Sequence, residues 1–184
     1  MTIVLAEKAK NIFDKIQISY SLDQNGTVYL IHNNEKYTFI NLSEFERNIN
    51  KKLKKSSRFN KLKAYFELRY LEGKILRGLA EKYLQFYKIA VMIHEIIEML
   101  NEKEKKGELN EVEKKLLTLD GDELFIVLAF LIAEHYAVNK KDNFLHLLAY
   151  KKDINLLTEV LKKMLIYHLG LISLRKIATF IKWI

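Results

Sequence analysis

The sequence contains no cysteine, no proline and only six glycines among its 184 residues. Without cysteine the chain has no disulfide, no thiolate zinc site and no cysteine nucleophile, which is typical of an intracellular protein. Average proline usage of about 5% would place roughly nine prolines in a chain of this length. Because proline interrupts helix interiors, its absence favours long, uninterrupted helices.

The sequence also lacks the motifs that mark common enzymes. The glycines stand singly, so there is no glycine-rich phosphate loop, and no serine lies in a nucleophile elbow. The N-terminus becomes charged at Glu7, too early for a secretory signal, and no apolar run approaches the ~18–20 residues of a membrane span. We therefore expect a cytoplasmic protein with no transmembrane segment, no catalytic residues, no metal ion and no cofactor.

The residues that are present predict a mainly α-helical fold, an irregular multi-helix bundle with a small N-terminal β-hairpin or meander. Hydrophobic residues make up 49% of the chain and charged residues 29%, as in ordinary globular proteins. We found no internal repeat and no linker composition. The simplest organisation is one domain over 1–184, with a β-meander lobe at 17–42 and a helical body at 43–184.

Local patterns place the first elements. Apolar residues at helical spacing predict a helix over 3–16, and alternation between 17 and 40 predicts three short strands. Asn25-Gly26 predicts the first hairpin turn because this pair tolerates positive φ, and Asn33-Asn34 the second. Two or three short strands are not stable alone in water, so the meander must pack on the helices.

Capping patterns place the remaining helices. Ser43 to Glu46 has the form of a capping box opening a helix to about Lys55, and Asn110 to Glu113 has the same form. Gly107 is expected to end a long helix, as glycine does beyond a helix C-terminus. The remaining predicted helices cover 58–72, 75–105, 124–138, 143–150, 153–169 and 171–184.

The net charge of +8 is distributed unevenly. Residues 43–63 carry eight cations and two acids, whereas residues 1–42 are neutral and residues 107–142 are acidic. An uneven charge distribution of this kind bears on which partners a protein binds and does not determine its fold. The many lysines, isoleucines and asparagines suggest an AT-rich genome.

The basic segment is the sharpest feature of the sequence. On helices, Lys51, Lys54, Lys55 and Arg58 fall along one side, and Lys61 extends the row if the helix continues. Such a row suits phosphates spaced along a nucleic-acid backbone, and binding gains affinity by releasing counterions. The bland alternative is a solvated lysine face. The candidate nucleic-acid-binding residues are Lys51, Lys52, Lys54, Lys55, Arg58, Lys61 and Lys63.

Neighbouring aromatic residues allow two interpretations. Tyr65, if it faces outward, is placed to stack on an unpaired base. Phe59, Phe66 and Tyr70 fit a core stripe better.

Three weaker patterns have simpler explanations. His94 and Glu98 share a helix face and suit a metal ion, with Glu134 or His135 as a third ligand, but a half-exposed polar pair is the plainer reading. Residues 149–164 loosely resemble a helix-turn-helix, with a recognition helix that lacks arginine. The cationic helix over 171–184 suits a membrane surface but more often closes a bundle.

Three hypotheses follow. The first is a non-catalytic helical protein that contacts nucleic-acid backbone through the basic segment without sequence preference, as a subunit of an assembly. The second is a protein–protein interaction module or regulator, virus- or plasmid-encoded, that binds a protein partner or a second copy. Its contacts would come from the C-terminal helix, the acidic residues 108–123 or an exposed strand of the meander. The third is an enzyme of unfamiliar type.

Overall fold

The computed structural model describes residues 4–70 and 74–140, and these form six helices and one sheet. The helices are α1 (Val4–Lys15), α2 (Leu42–Lys55), α3 (Ser57–Tyr70), α4 (Lys74–Lys106), α5 (Glu111–Leu117) and α6 (Gly121–Lys140). The strands are β1 (Ser19–Leu22), β2 (Thr27–His32) and β3 (Glu35–Asn41). The predicted fold class is confirmed. The helices predicted from residue 143 onward, and the helix-turn-helix pattern at 149–164, lie outside the described residues.

Helix α1 forms as its apolar spacing predicts and then turns the chain into the sheet. Its end is a Schellman motif, in which the amide of Ile18 donates to the carbonyl of Phe13 at 3.0 Å. Gln17 supplies the left-handed residue of the motif, with φ 55°. The buried stripe consists of Leu5, Ala9, Ile12, Phe13 and Ile16.

The meander is antiparallel, with strand order β1-β2-β3. Asn33 and Asn34 both have positive φ, 51° and 65°, as a type I′ hairpin requires. In the first turn Gly26 has a φ of 81°, while the Asp23 carboxylate accepts the amides of Asn25 and Thr27. The strong turn residues therefore fix both hairpins at the predicted places.

The predicted capping box at Ser43 and Glu46 is wrong. Helix α2 begins at Leu42, and Asn41 is its N-cap, with a side-chain oxygen that accepts the amide of Glu44 at 2.9 Å. Capping at Asn41 places Ser43 inside the helix and Glu46 one turn further along. The Glu46 side chain consequently faces the interior and is only 3% exposed.

The other predicted caps are present. Gly107 has φ 71° and ends α4 in a Schellman motif, and Asn110 with Glu113 forms the predicted capping box of α5. Asp120 accepts the amides of Asp122 and Glu123, as expected for an acidic residue at a helix N-terminus. This cap starts α6 at Gly121, three residues before the predicted start.

Helices α4 and α6 form the centre of the core. Helix α1 packs on α6, while α2, α3 and α6 each pack on α4. From 124 to 133 only Ile126 of α6 is not fully buried, so this helix is apolar around most of its circumference. In the described ranges, no helix combines the length and hydropathy that a bilayer crossing requires.

Aromatic packing joins the meander to α1 and α6. The ring of Tyr20 stacks on Phe13 with centroids 5.3 Å apart, and it meets the edge of Phe130 at the same distance. Burial, followed by the nearby charge of Glu134, raises the pKa of Tyr20 to about 12. Burial likewise raises the pKa of the Glu134 carboxyl above its ordinary value. Ionised Glu134 is therefore poorly solvated beside this cluster.

We expect Glu134→Gln to stabilise the protein at neutral pH. The raised pKa means that the folded state binds the Glu134 proton more tightly than the unfolded state does. The stability that protonated Glu134 gives the parent is therefore lost as pH rises through the folded-state pKa, and the variant has no such loss. Thermal unfolding at about pH 4 and about pH 7 checks the sign, because the advantage of the variant must grow with pH. The exposed Glu98→Gln is the control and should show no such trend. A constant difference between Glu134→Gln and the parent at both pH values contradicts the assignment.

Candidate nucleic-acid interface

Helix α2 has a buried inner face and a cationic outer face. The inner face consists of Leu42, Glu46, Ile49 and Leu53, all buried, at the spacing of one helical stripe. The lysines cluster in the last turn, where positive charge also interacts favourably with the helix dipole. The cations therefore face solvent because the apolar positions fix the rotation of the helix.

Four cations share the outer side of α2. At about 100° per residue, Arg47, Lys51, Lys54 and Lys55 fall within a sector of about 100° opposite the buried stripe. All four are exposed. We call this set the outer basic face. Glu44 lies at its N-terminal end, and no acidic residue follows Glu46 before the end of the basic segment.

Lys52 lies on α2 but not on the outer basic face. Its position turns it toward α4, where its ammonium group donates to a carboxylate oxygen of Glu95 at 2.6 Å. Among the candidate residues on α2, Lys52 alone forms an ion pair within the described ranges. Its charge is thus opposed locally, whereas those of Lys51, Lys54 and Lys55 face water.

The row of cations ends with α2. Lys61 was expected to extend the row only if the helix continued, and the helix does not continue. Ser56 has extended backbone, with φ −76° and ψ 125°, so it breaks the helix between Lys55 and Ser57. Arg58, Lys61 and Lys63 are exposed on α3. At helical spacing Lys61 and Lys63 point about 160° apart, so α3 adds cations around the segment and does not extend a row.

Of the four aromatic residues considered for base stacking or core packing, the one with a described side chain, Phe59, belongs to the core. Phe59 is half-buried and stacks on Tyr87, with centroids 6.4 Å apart. The side chains of Tyr65, Phe66 and Tyr70 lie outside the described residues, so base stacking by Tyr65 stays a prediction.

Sequence reasoning left out one member of the outer basic face. Arg47 precedes Lys51 by four residues and so occupies the same side of the helix one turn earlier. This spacing is visible in the sequence. It assigns Arg47 to the solvent-facing side only once the buried stripe fixes the orientation of α2.

A buried polar junction lies on the inner side of α2, at Glu46. The sequence did not indicate it, because the predicted capping box assigned the Glu46 side chain to the helix N-terminus. The Glu46 carboxylate forms an ion pair with Lys88 of α4, and its other oxygen lies 3.7 Å from Nε2 of His135 of α6. Glu46 and His135 are almost fully buried, at 3% and 1% exposure. The Lys88 ammonium lies 5.6 Å from the centre of the Tyr136 ring. Three helices therefore meet at one carboxylate.

The first hairpin turn closes this junction from the sheet side. The Gly26 carbonyl accepts the amide of Leu42 at 2.8 Å. A Cβ added at Gly26 would overlap Ser43 Oγ and come within 2.9 Å of His135 Cε1. Only glycine fits here, because the position combines positive φ with this close approach.

Two of the six acidic residues in the expected docking segment, 108–123, form ion pairs within the protein. Glu113 is buried and accepts from Lys103 at 2.6 Å, and Glu123 pairs with Lys15 of α1 at 2.7 Å. Asp120 caps α6. The segment 108–123 therefore presents less free negative charge than its composition indicates.

The remaining candidate features offer no phosphate or metal site in the described ranges. No three histidine, aspartate or glutamate side chains gather around His94 and Glu98, and His135 belongs to the junction with Glu46. A groove of about 350 Å³ lies between the end of α1 and the β2–β3 turn. Its lining contains one acid, Asp14, and no cation, so it does not suit an anionic ligand.

Comparison with known proteins finds no matching family model, no matching curated protein and no matching solved structure.

Proposed function

We propose that this protein contacts the phosphate backbone of nucleic acid through the outer basic face of α2, without base-specific recognition and as a non-catalytic subunit of an assembly. The observation that carries the proposal is the sidedness of α2. Four exposed cations lie on one side of a helix whose opposite side is anchored in the core. The proposal includes a cytoplasmic location, which remains the expectation from the cysteine-free composition.

The chemistry of this face suits phosphate rather than bases. Each cation that neutralises a phosphate releases condensed counterions, and this supplies affinity that is independent of sequence. Successive cations at Arg47, Lys51 and Lys55 are four residues apart, about 6 Å along the helix axis. A regular row of this kind lets one backbone meet several cations at once. Arg58, Lys61 and Lys63 on α3 supply further positive potential around the row.

The competing hypothesis of a protein-interaction module receives less support from the charges. Its acidic docking segment contributes Glu113 and Glu123 to internal ion pairs. Of its two other proposed contact surfaces, the helix over 171–184 lies outside the described residues, and an exposed strand of the meander stays a prediction. Nucleic-acid contact is therefore the function that we favour.

A matched pair of single substitutions tests the proposal. Lys51→Gln and Lys52→Gln remove the same charge from adjacent positions of one helix. Only Lys51 belongs to the outer basic face, since Lys52 pairs with Glu95. We expect Lys51→Gln to weaken binding severalfold and to reduce the slope of log K against log salt by about 0.9 on duplex, or about 0.7 on single strands. Lys52→Gln should have a clearly smaller effect.

The measurement is fluorescence anisotropy with short single- and double-stranded DNA and RNA across a salt series. Equal effects of the two substitutions would mean that net charge, and not the outer basic face, determines binding. A parent protein that binds none of the probes at moderate salt, or binds independently of salt, overturns the proposal. In that case partner capture becomes the next experiment.

A further inference from the structure

Glu95 of α4 stands at the border of the outer basic face. Its carboxylate contacts the Lys52 ammonium at 2.6 Å, with 28% of the Glu95 side chain and 63% of the Lys52 side chain exposed. Both groups therefore reach solvent on the flank where α2 meets α4. A backbone bound along α2 would pass close to this pair.

The pair lowers the attraction for phosphate in two ways. It neutralises a cation that is otherwise available on the flank of α2, and it places a solvent-accessible carboxylate there, which repels a nearby phosphate. Exposed ion pairs contribute little to stability, because water and salt screen them and two long side chains must be ordered. The pair is therefore poorly explained as a stabilising contact, whereas its effect on a nearby anion is direct.

We infer that Glu95 is an affinity-limiting residue, which holds Lys52 away from phosphate and restricts nucleic-acid contact to the outer side of α2. The inference rests on the proposed function, since it specifies how that same site is limited. It predicts that removing a carboxylate from α4 creates a phosphate contact without adding a cation to the chain.

The test is Glu95→Gln, which preserves size and removes the charge. We expect tighter binding and a salt slope steeper by about 0.9 on duplex, as one further phosphate contact gives. The gain in affinity should then be about threefold to fourfold larger at 50 mM than at 200 mM salt. Thermal unfolding of Glu95→Gln verifies that the tighter binding comes from a folded protein.

Two further variants separate local from general effects. Glu98→Gln changes the net charge equally at an exposed position three residues further along α4, and we expect little change in the slope. Lys52→Gln combined with Glu95→Gln should abolish the gain, because Lys52 is the cation that Glu95→Gln releases.

The outcomes distinguish this inference from the proposed function. If the parent shows no salt-dependent binding to the DNA and RNA probes, the proposed function fails and the inference fails with it. If the parent binds but Glu95→Gln matches Glu98→Gln in affinity and slope, the inference is overturned and the proposed function stands. A gain that persists in the double variant also overturns it, because the gain then does not depend on Lys52.

Discussion

Glu46→Ala is expected to destabilise the protein by about 3–5 kcal/mol, the loss typical of breaking a buried ion pair from one side. The substitution removes the carboxylate that neutralises the part-buried ammonium of Lys88, and it opens space beside the His135 ring. For a chain of this size the loss corresponds to a decrease in Tm of roughly 6–20 °C. Chemical denaturation followed by circular dichroism measures the free energy of unfolding directly.

Two control variants identify the cause. Glu44→Ala removes an exposed carboxylate from the first turn of α2 and should cost less than about 1 kcal/mol. Glu46→Leu combined with Lys88→Met replaces the ion pair by apolar groups, and it should recover most of the stability lost in Glu46→Ala. A loss in Glu46→Ala no larger than that in Glu44→Ala would contradict the assignment of Glu46 to a buried junction.

The same denaturation measurement, applied to Ser43→Ala, separates the two interpretations of the start of α2. A capping box at Ser43 predicts that Ser43→Ala costs about 1 kcal/mol, whereas the observed geometry assigns that role to Asn41. The two patterns overlap in sequence, because Asn41 and Ser43 are each followed three residues later by glutamate. Local chemistry does not choose between them. The choice follows from the apolar stripe of Leu42, Ile49 and Leu53, which includes Glu46 in its register.

Elements governed by neighbouring residues were predictable from the sequence. Helix α1, both hairpin turns and the capping box of Asn110 each depend on residues within a few positions of one another. The ion pair between Glu46 and Lys88 joins residues 42 positions apart. Sequence spacing carries no signal for such a contact, so the junction was found only in the structure.

The candidate site was predictable in part for the same reason. The side of α2 that carries Lys51, Lys54 and Lys55 follows from helical periodicity within one element. The break at Ser56, which separates Lys55 from Lys61, was also predictable, because the pattern ends one helix near Lys55 and starts the next near Arg58. The pairing of Lys52 with Glu95 depends on how α2 packs against α4, which no local pattern contains.

Removing the outer basic face is expected to have the largest effect on binding. The variant with Arg47, Lys51, Lys54 and Lys55 all changed to Gln should lose about 3.6 of the salt slope on duplex, because each neutralised phosphate contributes about 0.9. A matched control changes four exposed lysines elsewhere, namely Lys10, Lys105, Lys106 and Lys114. Both variants lower the net charge by four, so they differ only in where the charge is lost. Thermal unfolding of both variants verifies that each remains folded.

The decisive measurement is the salt dependence of duplex and single-strand binding for the parent and these two variants. If α2 contacts phosphates through its outer basic face, log K of the parent falls linearly with log salt, and the outer-face variant loses affinity and most of that slope. The control variant stays close to the parent. Equal losses in the two variants, or a parent whose binding is insensitive to salt, would contradict contact through this face.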